Sequence, residues 1–321
     1  ILILILLFIA ELFYFRIADR FNIIDKPNQR SSHTSITIRG GGVVFYLGAL
    51  AWFIWSGFAY PWFFVGLTAI TVISFLDDVF TLSNRVRLAV HLIAVLLMCY
   101  QLGLFEVPWY ILPIAIILII GTINAYNFMD GINGITAMYS FAVLFLLWVV
   151  NREQTFIDER LLFTVAVANG VFTFFNFRQK AKCFAGDVGS VCMSFILLFA
   201  LISLIMQTGN PIYILFLAVY GADSVLTIMH RLMKRENIFE AHRSHLYQYL
   251  ANEAKGNRLV ISFSYGLLQV LIGLFVIEIA TWEVFQQWAY AGLILVALVV
   301  LYVVWKGHLL KAYVNTTKQP T

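Results

Sequence analysis

Apolar runs of about 20 residues, long enough to cross a bilayer, recur along this chain from end to end. Inside a membrane the backbone must satisfy its own polar groups, which leaves helices or a closed barrel. The short alternating segments of a barrel are absent, so the expected fold class is all-α: a polytopic transmembrane helical bundle. Composition agrees. Of 321 residues, 61% are hydrophobic and only 12% charged, about half the charged share of a soluble domain. No block resembles a soluble domain or a nucleic-acid-binding surface, and the chain reads as one integral-membrane domain, 1–321.

Spans are expected near 1–17, 41–58, 61–77, 88–104, 108–126, 133–150, 161–177, 188–207, 211–229, 259–279 and 286–305, about eleven in all. The opening "ILILILLFIAELFYF" lacks an initiator Met, a basic n-region and a small-residue cleavage site. It reads as a first transmembrane helix rather than a signal peptide. Cys99, Cys183 and Cys192 have no paired or metal-ligand spacing and read as ordinary small residues.

With eleven spans, the 21 Lys and Arg residues fall on one side except Arg152 and Arg160. By the positive-inside rule that rich side is cytoplasmic, which puts the N terminus outside, the C terminus inside and the polar loops at the cytoplasmic face.

Five polar clusters lie in or beside those inner loops. "SFLDDVFTLSNRVR" ends a span with adjacent carboxylates, Asp77 and Asp78, followed by Arg85 and Arg87. Adjacent carboxylates repel unless a cation lies near, and the arginines suit an anion such as phosphate; a wetted helix-end charge pair is the plainer alternative. In "NAYNFMDGINGI", Asn124, Asn127 and Asp130 recur at intervals of three, on one helical face. Asn133 follows between two glycines that permit a turn. Amide and carboxylate oxygens are hard ligands suited to Mg²⁺. "KCFAGDVGSV" sets Asp187 between glycines at a helix start, either as a cap or where phosphate can approach backbone amides. "HRLMKRENIFEAHRSHLYQYL" gathers His242, Arg243 and His245 among cations, as a lipid-covering basic loop or a pyrophosphate clamp. Just before it, Asp223 lies about two turns inside a helix, with Arg231 or His230 as expected partners. "DKPNQRSSHTSITIRGGG" combines Arg30, His33 and Arg39 with a triple glycine, as a connector or a close helix approach.

Together these motifs resemble the polyprenyl-phosphate N-acetylhexosamine-1-phosphate transferase family, of glycosyltransferase family 4 type, in the family's order and over nearly the whole chain. The resemblance implies transfer of a sugar 1-phosphate from a UDP-sugar to undecaprenyl phosphate with release of UMP. It further implies a bacterial inner membrane setting and a role in starting O-antigen or other surface polysaccharide. It implies catalytic roles for Asp77, Asp78, Arg87 and Asp130, with Asp77 either deprotonating the lipid phosphate or attacking directly. Asp187 and Asn127 would hold Mg²⁺, with Mn²⁺ as an alternative ion. Asn133, Phe184 and Asn124 would contact the nucleotide, Phe184 by stacking on uracil. His242, Arg243, His245 and Arg39 would bind sugar and pyrophosphate. The UDP-sugar, the polyprenyl phosphate and membrane lipid are the implied partners, with homodimerisation left open. Three departures stand out: Thr81 where many relatives carry a third acid, Ile36 and Ile38 where prolines are usual, and no run of three histidines. A different reading is a secondary transporter, but such proteins set polar groups near the membrane midplane, often in repeated halves.

Overall fold

The computed structural model describes residues 1–25, 36–80, 82–237 and 243–314. Thr81, Arg30, His33 and His242 lie outside the described residues. Among those described, twelve α-helices dominate. They are α1 (Leu2–Arg20), α2 (Val43–Trp55), α3 (Pro61–Phe80), α4 (Asn84–Gln101), α5 (Ile111–Met129), α6 (Ile135–Glu153) and α7 (Glu159–Asn176). After them come α8 (Gly186–Thr208), α9 (Ala218–Met233), the short α10 (Leu246–Gln248), α11 (Arg258–Ile279) and α12 (Val284–Leu309). Two-residue strands β1 (Ile24–Asp25) and β2 (Thr37–Ile38) pair antiparallel, Ile24 opposite Ile38.

Each of the eleven expected spans coincides with a helical run, but only seven runs are long and apolar enough to cross a membrane. They are α3, α5, α6, α8, the run Pro211–Met233 that includes α9, α11, and Val284–Tyr313, which begins with α12. The helices on the other expected spans are shorter or carry more charge. Helix α2 has 13 residues, about 20 Å at 1.5 Å per residue. Helices α1, α4 and α7 carry charged residues at their ends or along their length, including Glu11, Arg16, Arg85, Arg87, Glu159 and Arg160.

Helix α8 is apolar all round, and every residue from Val188 to Leu201 is buried, the mark of a helix enclosed by others. It packs against α3, α2, α5 and α6. By contrast α12 buries one stripe, Gln287, Ala291, Leu298, Tyr302, Lys306 and Leu309, and presents the rest to lipid.

The run after α8 breaks into a 3-10 turn at Pro211–Leu217 before α9. A break inside an apolar run frees backbone groups that lipid cannot satisfy. Gln269 of α11 recovers two of them: its Oε1 accepts from Val219 N at 3.1 Å and its Nε2 donates to Leu215 O at 3.0 Å. Tyr139 donates to the same Oε1 at 2.7 Å, and its ring stacks on Tyr220 with centroids 3.5 Å apart. These contacts bind α6, α9 and α11 together.

At the polar end, α2 begins against the first turn of α8. A Cβ added at Gly189 would stand 2.6 Å from the Gly42 Cα, and one added at Gly42 would meet Gly189 and the Ala185 carbonyl. Only glycine permits that approach. Gly189→Leu should therefore destabilise the protein by about 1–3 kcal/mol through overpacking. This would register as a lower melting temperature in detergent micelles, with Gly170→Ala, where the nearest atom would be 3.9 Å away, melting within error of wild type.

Candidate active site

The residues singled out in the sequence converge where α3 ends, α4 begins, α5 ends and α8 begins. At the end of α3, Asp78 is fully enclosed. Its Oδ1 accepts from Asp187 N at 3.0 Å and its Oδ2 from Val188 N at 3.0 Å, so it caps α8. Those are orphan donors of a helix start, and the helix dipole favours an anion there. Arg39 Nε completes the group at 2.7 Å from Asp78 Oδ1.

Arg39 is delivered by the first loop, whose backbone is fixed by ladder-like bonds to the segment before α8. Phe184 N donates to Ile38 O, Gly41 N to Phe184 O, and Gly42 N to Ala185 O, at 2.8, 2.9 and 3.1 Å. Tyr14 of α1 donates to the Arg39 carbonyl at 2.6 Å. Gly186 has φ +72°, and a Cβ there would strike Asp78 and the Gly40 backbone. Glycine at 186 is thus what lets the loop, α3 and α8 meet.

Two guanidiniums interleave with three carboxylates. Arg87 NH1 lies 2.6 Å from Asp77 Oδ2, and its NH2 lies 3.4 Å from Asp187 Oδ2. Arg39 NH2 lies 3.4 Å from Asp187 Oδ1. The order is Asp77–Arg87–Asp187–Arg39–Asp78. Asp77 Oδ1 also accepts from Leu82 N at 2.6 Å. Burial opposes the Arg39 charge, but Asp78 and Asp187 hold its pKa above the ordinary value. Arg85 is exposed beside this lattice.

The three acids differ in access. The Asp187 side chain is 17% exposed, Asp77 8% and Asp78 0%. Asp187 reaches each arginine at 3.4 Å and has Asp77 as a further hydrogen-bond neighbour; as the most exposed of the three it is the one best placed to take an additional ligand. One turn along α8, Ser190 Oγ donates to Asn127 Oδ1 at 2.8 Å, which sets Asn127 beside that turn. Among the described residues no three His, Cys, Asp or Glu side chains form a cage for a metal ion. Mg²⁺ normally takes one or two carboxylates and fills its remaining positions with phosphate oxygens and water. Asp187 with Asn127 supplies a donor set of that chemistry.

The other amide-motif residues serve the loops. Asn124 donates to Ile120 O in its own helix at 2.9 Å. Asn133 is buried and donates to the carbonyls of Arg178 and Gln179 at 2.7 and 3.2 Å, while its own carbonyl accepts from Ser262. Phe184 is half-buried, with its backbone in the ladder above. Asp130 accepts from Thr136 Oγ1 at 2.6 Å. Burial raises its pKa from 3.8 to about 6, against the Thr136 bond, with Asp187 adding to the rise and Arg39 opposing it.

The loop after α9 approaches from the other flank. Arg243 is half-buried, its NH2 3.5 Å from Glu253. His245 is buried, with its Nδ1 3.2 Å from Asp223 Oδ1. Tyr247 donates to Phe128 O at 2.9 Å, next to Asn127. The expected pairing of Asp223 with Arg231 or His230 is corrected: Asp223 receives His245, and Arg231 engages Glu236 at 3.0 Å. Arg231 lies two turns along α9 from Asp223, whereas the returning chain docks directly on the acid.

Several contributors carried no motif. Tyr14, Tyr265 and Lys306 lie in apolar helical runs and look ordinary in sequence. A buried Glu11 beside Cys183, whose Sγ lies 3.7 Å from Glu11 Oε1, also went unmarked. An acid or lysine inside an apolar run was the available signal.

Residues 60–205 match the model of the family described as glycosyl transferase family 4. Over those residues the chain is similar to this family. It is 27% identical over 281 residues to a protein of Bacillus subtilis (strain 168) named "Probable undecaprenyl-phosphate N-acetylglucosaminyl 1-phosphate transferase", covering 78% of this chain and 75% of the relative. It is 28% identical over 271 residues to the undecaprenyl-phosphate alpha-N-acetylglucosaminyl 1-phosphate transferase of Thermotoga maritima, covering 80% and 83%. A Yersinia pestis protein of the latter name is 24% identical over 296 residues, covering 83% and 79%. The matched model spans α3 to α8 and so holds Asp77, Asp78, Arg87, Asn127, Asp130 and Asp187, while Arg39 lies before it and His245 after it.

Two outcomes follow from this geometry. Asp78→Ala should lower stability by about 1–3 kcal/mol, since buried amides and Arg39 lose their acceptor; Asp187→Ala should melt close to wild type. Asp130 gives a pH signature. Its folded pKa lies above the ordinary carboxylate value, so the folded state holds the proton more tightly than the unfolded state does. Stability from this group is present below about pH 4 and lost as pH rises through about 6. Subtracting an Asp130→Asn melting series from the wild-type series should isolate that loss; a difference constant from pH 4 to pH 7 would refute the assignment.

Proposed function

We propose that this membrane-embedded protein transfers an N-acetylhexosamine 1-phosphate from a UDP-sugar to undecaprenyl phosphate and releases UMP. The observation that carries this reading is the Asp77–Arg87–Asp187–Arg39–Asp78 lattice at one end of an apolar bundle. The names of the three relatives support undecaprenyl phosphate as acceptor and an N-acetylhexosamine 1-phosphate as the group transferred. Phosphoryl transfer depends mostly on alignment and charge stabilisation, and a lattice of fixed acids and guanidiniums offers both.

In this reading an oxygen of the lipid phosphate attacks the β-phosphorus of the UDP-sugar. A new P–O bond joins lipid and sugar phosphate, the bond from β-phosphorus to the bridging oxygen breaks, and UMP departs with that oxygen. Arg87 and Arg39 exchange their long contacts to Asp187 for phosphate oxygens, to which guanidinium geometry is suited. Asp77, held by Arg87 and Leu82 N, faces the lipid phosphate as proton acceptor. Asp78 holds the start of α8 rather than touching substrate, because enclosure and three donors occupy it. Asp187 and Asn127 would hold Mg²⁺, which when bound supplies charge neutralisation for the pyrophosphate. Phe184 and the Asn133 turn would border the nucleotide. The positive-inside asymmetry of the sequence supports a cytoplasmic face for this chemistry, and a bacterial inner membrane is the setting this reading assigns. The product would start O-antigen or another surface polysaccharide.

The decisive experiment is Mg²⁺-dependent UMP release from UDP-N-acetylglucosamine by reconstituted protein with undecaprenyl phosphate, with the lipid product identified by mass. Asp187→Ala and Asp77→Asn should each reduce turnover by at least about a thousandfold, in the range of lost transition-state charge stabilisation, while staying folded. Wild-type turnover in either variant, or undiminished transfer after thorough chelation, would overturn the assigned roles. Uptake of a solute by vesicles without UMP release would favour transport instead.

A further inference from the structure

The segment from Arg243 to Gln248 crosses the polar end of the bundle beside Phe128, and buried groups from three membrane helices hold it. Asp223 of α9 is buried. Its Oδ1 accepts from Leu246 N at 3.0 Å and Thr227 Oγ1 at 3.2 Å, and faces His245 Nδ1 at 3.2 Å. Its Oδ2 accepts from the Tyr265 hydroxyl of α11 at 2.8 Å and Tyr247 N at 3.4 Å.

From α12, the buried Lys306 Nζ donates to Ser244 O at 2.7 Å and to the Tyr302 hydroxyl. That hydroxyl lies 2.8 Å from Thr227 Oγ1. Lys306 can only donate and Thr227 donates to Asp223, so Tyr302 accepts from the lysine and donates to the threonine. The bonds run one way, from ammonium to carboxylate, and two buried charges are compensated without touching. One end of this chain grips the amides of Leu246 and Tyr247, the other the carbonyl of Ser244. Tyr247 then carries the grip to the end of α5, where its hydroxyl bonds Phe128 O and closes over Gly131.

We propose that Asp223 and Lys306 are positioning residues for the sugar-nucleotide: together they set the shape of the strap 243–248, which presents Arg243 and abuts the Asn127–Asp130 motif. The inference rests on the proposed function only in naming that ligand. Neither residue touches reacting atoms, so their loss should weaken donor binding more than it slows chemistry.

The test uses the full chain in nanodiscs, comparing Asp223→Asn, Lys306→Met, Lys306→Arg and Tyr302→Phe. Two readouts are taken: UMP release at varied UDP-N-acetylglucosamine, and hydrogen exchange of the strap amides. Lys306→Met and Asp223→Asn should raise the donor KM about tenfold, the scale of one lost charge-assisted hydrogen bond, with kcat within about threefold. Exchange at Leu246 and Tyr247 should quicken while the start of α8 stays protected. Lys306→Arg should recover part of the KM, and Tyr302→Phe should move both readouts in the same direction, less far. A fall in kcat with KM unchanged, unaltered exchange in the strap, or faster exchange throughout the bundle would overturn the proposal. If Asp223→Asn fails to insert, the Lys306 and Tyr302 variants decide it. If wild type releases no UMP, the proposed function falls, and strap exchange alone decides whether these residues position the segment.

Discussion

The active end of this protein depends on one carboxylate that is not free to react. Asp78 bonds the first amides of α8 and the guanidinium of Arg39, joining three stretches far apart in the chain. Enclosed in a membrane protein, an unpaired carboxylate would be costly; here helix dipole, two amides and one arginine offset that cost together. Everything more exposed is placed by this joint. Asp187 is the first acid of the helix Asp78 caps, Arg39 reaches Asp187 from its grip on Asp78, and Arg87 closes the ring from α4.

The same device recurs across the bundle. Asp223 receives the amides of Leu246 and Tyr247 as Asp78 receives those of Asp187 and Val188. In both places a buried acid near the end of an apolar helix catches a returning backbone. Gln269 performs the neutral version where α8 gives way to α9. In an apolar solvent each break of a helix must be answered by a side chain, so polar residues within apolar runs mark where the backbone turns.

Much of the architecture was legible because hydropathy reports bilayer thickness directly: each expected span lies on a helical run. The count of helices apolar enough to cross was less so, since α1, α4 and α7 bury polar residues against neighbours that one-dimensional averaging cannot see. The convergence of Asp77, Arg87, Asn127 and Asp187 was foreshadowed by motifs at helix ends. The division of labour among the acids was not, because adjacency of Asp77 and Asp78 in sequence hides that consecutive helical side chains point about 100° apart. Nearness along the chain favours Arg231 as the partner of Asp223, whereas the tertiary return of the chain delivers His245.

Helix α12 meets the rest of the protein along one narrow stripe, yet its Lys306 reaches a loop more than fifty positions earlier and its Tyr302 reaches Thr227 of α9. Helix α12 is therefore no mere lipid anchor. A chain shortened before it could keep the Asp78 joint whole and still lose the carbonyl grip on Ser244, leaving an intact reaction centre with a slackened wall. Fusions and tags beyond α12 bear on the segment 243–248, and tolerance of them reports how tightly Lys306 holds it.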